Sequence, residues 1–132
     1  MTVKTSPVSS QQLAEHVHRL VSGYVRRRTE ARSGKTFNAF KASGYHDGAY
    51  IDANNKVCMD AFLAIRSRKD HADFVNYFTG TLCSVPQFLE RDEYLTFSTA
   101  LLDSSQWENI KSLALLALSS LSQTARSTTD TQ

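Results

Sequence analysis

Leu13, Val17, Leu20, Val21 and Tyr24 recur at i, i+4, i+7, i+8 and i+11. That spacing closes into one stripe at 3.6 residues per turn and would scatter over both faces of a strand. It therefore specifies an amphipathic helix, begun by the capping residues Ser9 or Ser10 and running to about Arg32. Gly34 stands where such a helix is expected to stop. The rest of the chain carries the same bias. There are only 5 Gly and 2 Pro in 132 residues. A sandwich or barrel of this length would need many tight turns built from those two residues. With 41% hydrophobic residues, the chain has material for one packed core.

Further helices follow from capping residues and apolar spacing. A short helix is expected over residues 35–43, anchored by Phe37 and Phe40, then a Gly-bounded loop over 44–50. Asp52 is the expected cap of a helix bearing Val57, Cys58, Ala61, Phe62 and Ile65, which ends in Arg66-Ser67-Arg68-Lys69. Asp70 caps the next, with Phe74, Phe78 and Leu82 at i, i+4 and i+8, and Gly80 weakening its last turn. Pro86 breaks the chain. A helix over 87–103 presents Tyr94, Leu95, Ala100 and Leu101. The last helix, over 105–124, places Trp107, Ile110, Ala114, Ala117, Leu118 and Leu121 on one face. Leu113, Leu115 and Leu116 fall outside it, so at least one of them is expected at a surface used by a neighbouring subunit. The fold class is all-α, a bundle of about five helices. A single domain over 9–124 lies between a polar N-terminal arm, residues 1–8, expected to be flexible, and a polar tail, residues 125–132, expected to be disordered.

The longest apolar run, Leu113 to Leu118, is far short of the ~20 residues of a membrane span. The N-terminus lacks the apolar segment of a secretion signal, so a cytoplasmic protein with no membrane role is expected. Cys58 and Cys83 read as free buried thiols. His16 and His18 diverge by ~200° on a helix, cannot share a metal, and are expected at the surface. His46-Asp47 is the one dipeptide with a metal-site flavour, and it has no helical partners; no metal or cofactor is expected.

Charge is the informative feature. The net charge is +2, yet residues 1–69 hold 12 of the 15 Lys and Arg and 5 of the 13 Asp and Glu, a net +7 that leaves −5 for the rest. The cations concentrate in Arg26-Arg27-Arg28 with Arg32 and Lys35, and in Arg66, Arg68 and Lys69. Guanidinium groups suit phosphate oxygens, and three successive arginines cannot all be buried. With Leu13 at 0°, Arg19 and Arg26 fall near ~240° and ~220°, opposite the stripe. Arg19, Arg26, Arg27, Arg28, Arg32, Lys35, Lys41, Arg66, Arg68 and Lys69 are thus the candidate nucleic-acid contacts. The two clusters would line one groove if their helices packed antiparallel. Tyr45 and Tyr50 are candidates to stack on bases.

Residues 56–69, the stretch Asp73-Phe74-Val75-Asn76-Tyr77-Phe78-Thr79-Gly80 and the following Ser84-Val85-Pro86-Gln87-Phe88-Leu89 resemble the C-terminal region of a CRISPR-associated large subunit of the type I-B branch first described from myxobacteria. Leu20-Val21 and Tyr24-Val25-Arg26-Arg27-Arg28-Thr29-Glu30 are similar to the same region, and the likeness spans roughly residues 13–120. In several type I systems this helical bundle is also translated separately from an internal start as the Cascade small subunit, and the chain resembles that product. The resemblance implies a non-catalytic subunit. Its implied partners are the crRNA-bound Cascade backbone subunits, the Cascade large subunit and other copies of itself. It also implies contact with crRNA and target DNA, chiefly the displaced non-target strand of the R-loop. Two other classes stay open on the residues alone: a degenerate metal-dependent phosphohydrolase, and a homo-oligomeric interaction protein that binds no nucleic acid.

Overall fold

The computed structural model describes residues 10–82 and 90–130 of the chain. Among them are six α-helices, one π-helical turn and no strand. The helices are α1 Ser10–Ser33, α2 Phe37–Ala42, α3 Gly48–Arg66, α4 His71–Tyr77, α5 Arg91–Leu102 and α6 Trp107–Asp130; the π-helical turn, Phe78–Leu82, extends α4. The expected arm over 1–8, Cys83 and the expected start of the fifth helix at Gln87 lie outside the described residues.

α3 and α6 form the central antiparallel pair. Ser122 Oγ donates to Asn55 Oδ1 at 3.2 Å at one end, and Lys111 Nζ donates to the Arg68 carbonyl at the other. α1 packs along both. Lys35, just past the end of α1, pairs at 3.0 Å with Asp47 at the start of α3, so α1 and α3 are also antiparallel. The predicted stripe is what α1 buries: Leu13, Val17, Leu20, Val21 and Val25 are all 2% exposed or less, with Tyr24 at the edge. Each such side chain contributes roughly 1.5–3 kcal/mol by leaving water. α4 and α5 are fastened to this trio by a chain of tilted aromatic rings. Trp107 meets Phe74 at 5.6 Å, Phe74 meets Phe78 at 5.4 Å, and Phe78 meets Phe97 at 5.5 Å. Cys58 is buried in the core, and loss of water pushes its thiol up to about 11.

Gly34 ends α1 as expected. Its φ is +74°, a conformation costly for any residue with a Cβ, and its N–H reaches back to the Glu30 carbonyl at 2.9 Å. Asp70 caps α4 by accepting from the Asp73 N–H. Elsewhere the expected boundaries move. α3 starts at Gly48, not after Asp52: Asp47 accepts from the Ala49 and Tyr50 N–H groups, and the loop shrinks accordingly. The early start buries Tyr50 and Ile51 against Phe40 in a small second core. α5 begins at Arg91, where Glu90 and Glu93 form a reciprocal capping box. Its buried face is Phe97, Ala100 and Leu101; Leu95 is 52% exposed rather than inward. α6 runs to Asp130, past the expected end at 124, in a stretch containing neither Gly nor Pro. Leu113 and Leu115 pack at the edge of the core, and Leu116 is the one turned out, at 67%.

Candidate nucleic-acid interface

The buried stripe of α1 continues at the same four-residue interval from Tyr24 to Arg28 and Arg32. Here α1 and α3 part into an open cleft of about 330 Å³, lined by Tyr24, Arg28, Ala31, Arg32, Val57 and Asp60. A helix that needed only a core would carry apolar residues at these positions. Both arginines are instead exposed, and neither is ion-paired among the described residues. Among the described residues Asp60 is the cleft's single carboxylate, so that lining sums to +1. Successive positions turn ~100°, so Arg26 and Arg27 point elsewhere. Arg26 lies 4.7 Å above the Phe37 ring, which Lys41 also approaches at 5.2 Å. Arg27 is exposed. Glu30 fixes this corner by accepting from the Phe37 N–H at 2.8 Å, which docks α2 against α1.

The second cluster sits at the other end of α3. Arg66 and Lys69 are exposed. Arg68 is held: its Nε donates to the Ala64 carbonyl, its Nη1 donates to Asp73 at 3.1 Å, and its guanidinium lies 4.8 Å above Tyr77. Antiparallel packing thus sets the clusters at different heights along the bundle. They are nevertheless linked through Tyr77. Burial raises its hydroxyl above the ordinary value, Tyr24 and Asp60 push the same way, and Arg68 and Arg28 oppose them. Arg28 and Arg32 thus share the cleft, Arg68 lies over Tyr77, and Arg26 and Lys41 stand on the α2 side.

Besides Arg68, two further candidate cations are committed within the fold. Arg19 lies opposite the stripe as expected, but it meets Glu93 of α5 through two hydrogen bonds of 3.0 and 2.8 Å. That contact, together with the Glu90 N–H, holds the Glu93 carboxyl down at about 2. Lys35 is engaged by Asp47, whose carboxyl it lowers. His16 is not on the surface. It is 6% exposed beneath the Arg19–Glu93 pair, with Nε2 3.8 Å from Glu93, because α5 closes over that flank of α1. Tyr50 is unavailable for bases, being buried and stacked on Phe40 at 4.3 Å; Tyr45 remains 39% exposed. Asp47 serves as a helix cap, and among the described residues no three His, Cys, Asp or Glu side chains gather as a metal site. No described helix is long and apolar enough to cross a membrane.

Periodicity carried the signal for the cleft in the i, i+4, i+8 series Tyr24, Arg28, Arg32. Asp60 and Tyr77 had none, since only the packing of three helices brings them together. Neither the search of curated proteins nor that of solved structures found a match. A family model described as the type I-B CRISPR Cas8b C-terminal domain matches residues 1–121. Matched over nearly all of its length, the chain belongs to that family, and its role is related to the type I-B CRISPR Cascade.

Proposed function

We propose that the chain is a non-catalytic small subunit of a type I CRISPR Cascade surveillance complex. In this reading it packs along the crRNA-bound backbone, beside the large subunit and other copies of itself, and stabilises target DNA, chiefly the displaced non-target strand. The observation that carries the reading is the α1–α3 cleft, where Arg28 and Arg32, not ion-paired among the described residues, replace the apolar residues that the helix period calls for. Cations lining a cleft follow a phosphate backbone without reading bases, which suits a complex whose sequence specificity comes from guide pairing. Tyr24 at the cleft edge offers a ring for stacking.

The test is single-strand DNA binding across a salt series, with the isolated chain and with the assembled complex. Each phosphate contact on a single strand contributes about 0.7 to the slope of log K against log salt. Arg28→Ala with Arg32→Ala should reduce the slope magnitude by up to ~1.4, equally for any DNA sequence. Arg19→Ala, which removes a cation already held by Glu93, should leave it unchanged. Equal slopes for wild type and the double variant would defeat the proposal.

A further inference from the structure

We infer that a bound single strand crosses α1 instead of running along it: it leaves the α1–α3 cleft, passes over Arg27 and reaches the corner where Arg26 and Lys41 share the ring of Phe37. The inference rests on the DNA-binding reading of the cleft and gives that strand a path. The cleft itself is short. Arg28 and Arg32 stand four residues apart, about 6 Å along the helix, so the cleft holds only a small part of a strand. Three ways out of it offer a phosphate nothing. Toward the start of α1 the same face becomes Leu20 and Val21, both fully buried. Toward its end Gly34 stops the helix, and the next cation, Lys35, is taken by Asp47 at 3.0 Å. On the α3 side stands the Asp60 carboxylate, and Arg68, over Tyr77, is held by Asp73 at 3.1 Å.

The fourth way, over the outer side of α1, carries a cation at every step. Arg28, Arg27 and Arg26 are all exposed and follow one another by ~100°, so they sweep ~200° from the cleft to the α2 side. Ala31, one turn after Arg27, lines the cleft with no more than a methyl group, which leaves the way up from the cleft open. At the far end the Arg26 guanidinium and the Lys41 ammonium lie 4.7 and 5.2 Å from one ring centroid. Neither is ion-paired among the described residues. Glu30, one turn after Arg26, accepts from the Phe37 N–H at 2.8 Å, and α2 itself carries no acid. Two like charges brought to one ring repel each other, and a phosphate placed between them turns that repulsion into two charge-assisted hydrogen bonds. The strand therefore finds phosphate partners on both sides of α1 and one on its crest.

The experiment is binding of the full chain to an oligothymidylate of about 12 nucleotides, within the site sizes common for small single-strand binders, across a salt series. Arg26→Ala with Lys41→Ala should lower the magnitude of the slope of log K against log salt by up to ~1.4, and Arg27→Ala alone by about 0.7. Circular dichroism should confirm the fold of each variant. A titration at saturating protein should give one strand per chain, because cleft and corner belong to one path. A slope lowered by Arg28→Ala with Arg32→Ala but untouched by the Arg26–Lys41 and Arg27 variants would overturn the crossing and leave the cleft reading standing. A slope lowered only by the corner variants would also overturn it, since the strand would then never enter the cleft. Two strands per chain would overturn it as well, making the corner a separate site.

Discussion

Replacing Phe97 with Ala tests how α5 is turned on the bundle. The ring is 0% exposed and meets Phe78 at 5.5 Å, at the end of the aromatic chain that begins at Trp107. Truncating a buried Phe costs about 3–5 kcal/mol, through lost transfer energy and the cavity left behind. A domain of this size has a total stability of only about 5–15 kcal/mol. At roughly 3–5 °C per kcal/mol for this chain length, the melting temperature should drop by about 10–20 °C. The control is Leu95→Ala on the same helix, two residues earlier. Leu95 is 52% exposed, so its loss should cost about 0.5 kcal/mol or less. Thermal and urea melts of the two variants supply the comparison. Equal losses, or a larger loss for Leu95, would mean that α5 is rotated from the orientation described and that its outer face is misassigned.

Gly34→Ala should destabilise the chain by about 1 kcal/mol in urea melts: φ is +74° and an added Cβ would meet nothing within 4 Å, so only the backbone conformation is penalised. The Arg19–Glu93 contact makes stability depend on pH. The Glu93 carboxyl is depressed to about 2 from an ordinary 4.5, so its contribution is complete above about 4.5 and is lost as pH falls toward 2. Melting temperatures of wild type and Glu93→Gln should therefore differ at pH 6 and converge near pH 2; a difference that persists at pH 2 would contradict the assignment.

The all-α class and the faces of α1, α3 and α6 were legible because amphipathic periodicity is written locally. Asp70 and Gly34 were legible because caps depend on a few neighbouring residues. Leu95 and Phe97 were not. They stand two apart on a short helix with apolar residues on several sides, and it is Phe97 that turns inward to meet the distant ring of Phe78. Asp47 as a cap was not legible either: it stands beside Gly48 in a stretch that reads as loop, and it is Tyr50 and Ile51 burying against Phe40 that accompany the earlier helix start. Arg19 falls opposite the stripe and reads as a free surface cation, because the carboxylate that claims it lies 74 positions further on.

The ring of Phe37, shared by the Arg26 guanidinium and the Lys41 ammonium, has a consequence for kinetics and entropy. A long cationic side chain loses roughly 1.5–2 kcal/mol of rotamer freedom when it is immobilised. Side chains already leaning on an aromatic face have given up part of that freedom before any anion arrives. The number of ions released on binding is the same for a restrained cation as for a loose one, so the salt slope does not register the ring. What it changes is the intercept: a polyanion meeting this corner has less disorder to remove, and leaves more slowly once there.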